Sequence, residues 1–362
     1  MKMKHLTGLF VFLILGFTAW TQESDDSLDI TPDYKPIEDT ISADIHIFGT
    51  DHPLVCTLKF DIKKFVKEKY KDQYQKALLT YHFNDSVELE RTIYIKARGE
   101  FRKSYCLFPP IKINLKKSKI QYAGMKGVTS LKLVTHCRSS KIYEQYVLKE
   151  YLIYKLYNLL TDYSFRVKLM QIRYIDTGSR KPKEYLRYGF IIEDIDMLAE
   201  RSNSIEVKIN TINQKYIDRV SMNRVALFQF FIGNTDWSVP ELHNLKLLKL
   251  NNPLKVTPFV IPYDFDYSGF VNASYAIPNE ILEIDKVTKR LFLGICRSNE
   301  EYNASIKEFI AQKDSIYHTI REFEYLNDQT KKKILKYIDD FYTIIESESL
   351  IRRKIIATCK KL

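Results

Sequence analysis

The spacing of apolar residues changes along this 362-residue chain, first near Lys141, and that change limits the fold more than any other feature. Before it, apolar and β-branched residues alternate with polar ones over 55–60, 92–97, 110–115 and 130–134, the pattern of strands with one buried face. Residues 63–79 are predicted as a helix between the first two. Tyr143, Val147, Tyr151, Tyr154 and Asn158 then recur at three or four residues, which predicts an amphipathic helix over 141–160. Its tyrosines are expected to form a half-buried face whose hydroxyls reach water. Strand patterns return at 167–174 and 185–193 around the polar turn 177–181, and a helix is predicted over 214–233, broken at Gly233. Residues 245–250 and 257–262 read as a strand pair about the turn Asn251, Asn252, Pro253. From 300 onward the pattern is helical, in two long segments parted near Asn327 and Asp328. A β-rich first half, one embedded helix and a helix-rich second half predict an α+β protein of two lobes, 43–193 and 194–362, with a cleft between them as the default ligand site.

The N-terminus carries a different signal. Lys2 and Lys4 precede an apolar run from Leu6 to Phe17, too short for the roughly 20 residues that span a bilayer. With small residues at Thr18 and Ala19, this reads as a cleavable secretory signal over 1–22, cut near Gln22. No cysteine follows the run, where a lipid could be attached. Residues 23–42 are rich in Asp, Ser, Thr and Pro and read as a linker. A secreted or periplasmic protein is therefore expected, with no stable membrane insertion after cleavage.

The formal charge is +11, or +9 once Lys2 and Lys4 leave with the signal, which favours anionic partners such as nucleotides. The basic residues are scattered and form no recognised nucleic-acid module, so a nucleic-acid partner is not expected. The five cysteines, Cys56, Cys106, Cys137, Cys296 and Cys359, include no pair at the short spacing of a zinc site. In an exported chain disulfides persist. Cys106 and Cys137 flank one predicted β region and are expected to bond, and the odd count leaves at least one thiol, expected to be buried.

Two acidic segments stand out: Gly233-Asn234-Thr235-Asp236-Trp237, followed by His243 and Asn244, and Pro262-Tyr263-Asp264-Phe265-Asp266. The first closes a long predicted helix and enters a strand; the second closes the strand pair. A hairpin of this length brings Asn244 beside Asp264, with Asp236 on the loop just before. Hard oxygen ligands from Asp and Asn suit magnesium, and phosphoryl transfer needs one further carboxylate to orient or deprotonate the attacking hydroxyl. The same residues have plainer uses. Asn-Thr-Asp is good turn chemistry, Lys112 lies in a basic run with Lys116, Lys117 and Lys119 that fits a solvated strand edge, and Glu150 beside Lys149 and Lys155 fits surface charge.

Residues Gly233 to Asn244 and Tyr263-Asp264-Phe265-Asp266 resemble the catalytic segment of atypical kinases related to spore-coat CotH proteins and, more remotely, HipA-type kinases. Arg98-Gly99 with Pro109-Pro110-Ile111-Lys112 resembles the upstream segment of the same family, and Tyr188 to Glu193 its strand into the interlobe hinge. The likeness runs from about Ile93 to Gly269. It implies a two-lobed, atypical protein-kinase-like fold, with a β-rich first lobe and a mainly helical second one. It further implies transfer of the ATP γ-phosphate, with Mg2+ or Mn2+, to a hydroxyl, a protein Ser or Thr being the expected acceptor. Asp236 would then be the catalytic carboxylate, and Asn244 and Asp264 would hold metal, with Asp266 secondary. Lys112 would touch the phosphates (Lys132 competes for that role), Glu150 would pair with the lysine, and Glu193 would border the adenine. The chain departs from the family in the long gap between Asp236 and Asn244. It also lacks a glycine-rich loop, having only Gly124 and Gly127 in the region. The alternatives are a catalytically inactive pseudokinase and a structural or interaction protein of the envelope.

Overall fold

Alternation of buried and outward side chains builds β1 (Leu54–Phe60), β2 (Gln75–His82), β3 (Glu88–Ala97), β4 (Ile111–Asn114), β5 (Ser130–Val134), β6 (Val167–Asp176) and β7 (Lys183–Ile192). In the computed structural model, which describes residues 47–49, 51–82, 88–115 and 129–361, these seven strands close into a barrel in the order β1-β2-β3-β4-β5-β7-β6. Neighbours run antiparallel except β1, which joins β6 in parallel from Leu54↔Met170 to Phe60↔Asp176. Leu58, Ile93, Ile95, Ile113, Leu131 and Ile172, among others, fill the interior.

Three helices are set between barrel strands: α1 (Ile62–Lys67), α2 (Phe101–Tyr105) and α3 (Lys141–Asn158). After the barrel come α4 (Ile195–Arg201), β8 (Ser204–Glu206), α5 (Arg219–Ile232), β9 (Leu245–Leu250) and β10 (Phe259–Pro262). The chain then forms α6 (Asn299–Ala311), α7 (Lys313–Glu322), α8 (Asp328–Ile345) and α9 (Glu348–Ile351). Strands β10, β9 and β8 make a small antiparallel sheet. A second core gathers α3, α5, α6, α7 and α8 against Leu169, Phe190 and Ile192 of β6 and β7. Those two strands thus bury one face in the barrel and the other under helices.

The α+β content agrees with the sequence, but the two-lobed kinase-like architecture expected from it is not what forms. Pairing of β1 with β6 ties the first described strand to the sixth and closes the sheet, and both cores share β6 and β7. The predicted helix over 63–79 is also corrected: α1 stops at Lys67, Asp72 turns the chain at φ 52°, and residues from Gln75 pair with β3. Nor does α3 keep a wet tyrosine face. Tyr146, Tyr151, Tyr154 and Tyr157 are all buried, as befits a helix covered on nearly every side. The signal and linker expected over 1–42 lie outside the described residues, as do Lys116, Lys117, Lys119, Gly124 and Gly127. No helix of the described residues is long and apolar enough to cross a membrane.

Cys106 bonds Cys137, as expected, and Cys296 bonds Cys359, a pair the sequence left open. Cys56 is free and buried in the barrel, where burial pushes its thiol up to about 12. Beside the first disulfide, the ring of His136 stacks on Phe108 at 4.8 Å and faces Tyr174 and Tyr185. Burial, aided by the charge of Arg187, lowers its pKa to about 3.

Three outcomes follow. Peptide mapping without reductant should recover the 106–137 and 296–359 pairs, with Cys56 alkylated only after unfolding. Replacing Cys296 and Cys359 by Ser should lower stability in urea by about 2–4 kcal/mol, since the bridge closes a loop of 63 residues' separation. For His136, the folded pKa lies below the unfolded value near 6.5, so the unfolded chain takes up the proton first. Stability present above pH 6.5 should therefore be lost as pH falls toward 3, by up to about 1.4 kcal/mol per pH unit. Urea unfolding at pH 7 and 4.5 should show His136→Phe losing this part of the slope.

Candidate functional site

The end of α5 fixes the first acidic segment. Gly233 caps the helix in the left-handed region at φ 62°, where a Cβ would also run into the hydroxyl of Tyr337. Next to it, buried Asn234 donates from Nδ2 to Gln229 Oε1 and accepts the backbone N–H of Asp236 at 3.0 Å. Asp236 is thereby aimed before any ligand arrives. The intervening residues fold back through a bridge between Ser238 and His243. That bridge absorbs the long gap noted in the sequence, so Asn244 still reaches Asp236: its Nδ2 donates to the Asp236 carbonyl at 2.8 Å and to Oδ2 at 3.0 Å. His243 Nε2 lies 3.0 Å from the other carboxylate oxygen. The Oδ1 of Asn244 takes no part in these bonds.

The β9–β10 hairpin supplies the second segment. Leu245 pairs with Pro262, and the N–H of Tyr263 donates to the Asn244 carbonyl at 3.0 Å, which sets Asp264 alongside. Asn244 and Asp264 both adopt positive φ, 55° and 62°. Asn and Asp tolerate that region better than other side chains, yet it costs of order 1–3 kcal/mol at such positions, and strain of this kind clusters at functional sites.

From the other side, α3 presents Glu150 and Tyr154 four residues apart on one face. The N–H of Asp264 donates to Tyr154 Oη at 2.9 Å. Carboxylate oxygens of Glu150, Asp264 and Asp266 lie within 4.8 Å of one another, a grouping able to hold a metal ion. Arg102, from α2, reaches into the group. Its Nε donates to Asp266 at 2.8 Å, and its Nη2 donates to Glu150 at 2.7 Å and to Asp264 at 3.3 Å. Tyr275 also donates to Asp266, at 2.9 Å. One guanidinium thus faces three carboxylates. Glu150 Oε1 is left buried with no partner among the described residues.

The electrostatics record this excess of negative charge. Burial drives Glu150 up to about 8, with Asp266 and Asp264 adding to the effect and Arg102 opposing it. Asp264 is likewise raised, by burial and by Asp266, against Arg102 and Arg98. Its carboxylate is set deep among neighbouring atoms but keeps one side open to solvent, as does that of Asp236.

The remaining sequence assignments fare differently. Glu150 pairs with Arg102, not with Lys112. Lys112 and Lys132 are cross-strand neighbours on β4 and β5. Lys132 is in electrostatic reach of Asp264 and lies 5.7 Å from the ring of Tyr263, while Lys112 acts on Asp72. Glu193 is buried, accepting from Arg166 at 2.7 Å and from Arg201 at 2.9 Å, and so ties the end of β7 to α4. The residue missed in the sequence is Arg102. Its only signal was position, three residues after the Arg98-Gly99 pair, and no spacing rule marks that as meaningful.

The carboxylate trio loses the one cation among the described residues that is ion-paired with all three of its members if Arg102 is removed. Arg102→Ala should therefore lower stability at neutral pH by about 3–5 kcal/mol in urea, with Arg102→Lys intermediate. Comparison with known proteins leaves the cluster to be argued from its own atoms: no family model matches the chain, and no curated protein matches it.

Proposed function

We propose that this cluster binds a divalent cation together with the phosphates of a nucleotide and transfers a phosphoryl group to a hydroxyl. The observation that supports it most is the gathering of Asp236, Asn244 and Asp264 at one edge, beside the buried trio whose Glu150 Oε1 has no partner. An unpartnered buried carboxylate oxygen is costly, and hard oxygen donors in this number suit magnesium or manganese. Asn244 Oδ1, Asp264 and Asp266 would hold the cation, with Glu150 behind them. The cation would supply charge neutralisation at the phosphate oxygens.

The chain's own groups have the remaining tasks. Asp236, held by Asn234 and Asn244 and flanked by His243, would accept the proton of the attacking hydroxyl as that oxygen bonds to phosphorus. The bond to the leaving phosphate breaks with its electron pair. Arg98, half-buried with its Nε sealed from solvent and unpartnered among the described residues, and Lys132 stand near Asp264 as cations for phosphate oxygens. The resemblance of these segments to CotH-type kinases points to the same chemistry, with ATP as donor and a protein Ser or Thr as acceptor. Two disulfides and the signal-like N-terminus support a secreted or periplasmic setting.

One observation favours a second reading. Arg102 already sits among the three carboxylates, so the cluster is also a self-contained ion-pair network of a structural or catalytically inactive protein. Thermal shift and phosphate transfer separate the two. Under the first reading, ATP with Mg2+ or Mn2+ raises the melting temperature in a concentration-dependent way, and Asp264→Asn abolishes the rise. Asp236→Ala keeps the rise but slows transfer of labelled phosphate to an added protein acceptor by at least about 10²-fold. No shift with any nucleotide and metal would leave only the structural reading. A shift without transfer would leave nucleotide binding alone.

A further inference from the structure

The carboxylate cluster already holds a cation, and that cation belongs to the chain. Arg102 Nε donates to Asp266 at 2.8 Å, and its Nη2 donates to Glu150 at 2.7 Å and to Asp264 at 3.3 Å. A magnesium ion bonded to these oxygens would lie between them, about 2.1 Å from each. The N–H groups of the guanidinium point into that same space, so an ion enters only as the guanidinium gives way. Arg102 does not satisfy the trio either. Glu150 is 1% exposed, yet its Oε1 has no partner among the described residues, and three carboxylates still face one positive charge.

The grip of Arg102 is uneven. Its contact with Asp264 is the longest of the three, and the Asp264 side chain is 45% exposed, against 7% for Asp266 and 2% for Glu150. Glu150 Oε1 is sealed from solvent with α2 in place, so the approach for an ion is through Asp264, where the guanidinium holds least. The helix that carries Arg102 is also lightly held. None of the five residues of α2 is fully buried. Gly99, just before it, turns the chain at φ 78° in open space, with nothing within 4 Å of where a Cβ would stand. The far end is anchored: Cys106 is bonded to Cys137, and Lys69 Nζ donates to the Cys106 carbonyl at 3.0 Å. A short surface helix fixed at one end and free to turn at a glycine at the other has the layout of a hinge.

We propose that Arg102 gates the metal site. In the metal-free protein the guanidinium fills the cation's place, and α2 turns at Gly99 to draw it off Asp264 when a divalent cation enters. The gate rests on the metal-binding part of the function proposed above. It adds that the site is shut at low metal, so the apparent affinity is the intrinsic one reduced by the fraction of molecules in which Arg102 has withdrawn.

Titration with Mn2+ alone, followed by the electron paramagnetic resonance signal of the free ion, tests this without turnover. Arg102→Ala should bind Mn2+ at least about tenfold more tightly than the unaltered protein, with Arg102→Lys between them. Lys132→Ala, which removes a charge near Asp264 without opening the space between the carboxylates, should change the affinity by less than about threefold. Mn2+ should also raise the melting temperature of Arg102→Ala more than that of the unaltered protein, because the ion replaces the lost guanidinium. If Arg102→Ala fails to fold without metal, Arg102→Lys carries the comparison. Equal affinities in the unaltered and Arg102 proteins, or an equal gain in Lys132→Ala, would overturn the gate and leave metal binding standing. No Mn2+ bound by any of these proteins, with or without ATP, would overturn the metal-binding reading and the gate with it.

Discussion

Arg102 is the side chain on which the candidate site turns. It projects from a five-residue helix inserted between two barrel strands, and it meets carboxylates from α3 and from the loop that follows β10. These elements are far apart in sequence, and all three pack on the same core. Three acidic groups held this close repel one another strongly in a low-dielectric setting, and the loop settles on α3 with a proton held on Glu150, whose pKa is raised to about 8, and a cation between the carboxylates. That cation is either the guanidinium alone or the guanidinium and a metal sharing the load. Either way, the position of α2 and the position of the acidic loop are one structural variable. Fixing α2 matters accordingly, and the disulfide from Cys106, the residue after its last turn, does so.

The helix α3 shows how one element can serve as both core and site. It packs β6 and β7 on one side and the C-terminal helices on another, yet Glu150 and Tyr154 reach the loop beyond β10. Tyr146 does likewise, accepting the Ser274 N–H at 3.2 Å. The hydroxyls of Tyr146 and Tyr154 take backbone N–H groups of this loop, not water, as partners, so these two phenols are sequestered while two of the loop's amides are satisfied.

Much of the local structure was legible. Period-two alternation marked every barrel strand but β2, which was read as part of a helix, to within a few residues, and the Gly233 stop, the β9–β10 hairpin and the juxtaposition of Asn244 with Asp264 all followed from local pattern. Local pattern could not reveal closure. Nothing in 54–60 specifies a parallel partner in 170–176, because strand pairing over that separation is decided by tertiary packing. The tyrosine stripe misled for a related reason: phenol hydroxyls were assigned to water, whereas those of Tyr146 and Tyr154 meet buried backbone donors. Arg102 and the Cys296–Cys359 bond were missed because each depends on a partner that only the completed fold brings near.

The parallel pairing of β1 with β6 has a consequence for how the chain reaches this state. A polypeptide emerging N-terminus first can zip β1 to β2 almost at once, but Leu54 must wait for Met170 before the other edge of β1 is covered. Through that interval a row of unsatisfied amide groups, flanked by apolar side chains, faces outward as a template for intermolecular pairing. Assembly of this molecule is thus a kinetic contest between its own late strand and any neighbour that arrives earlier, and high contact order makes the contest slow.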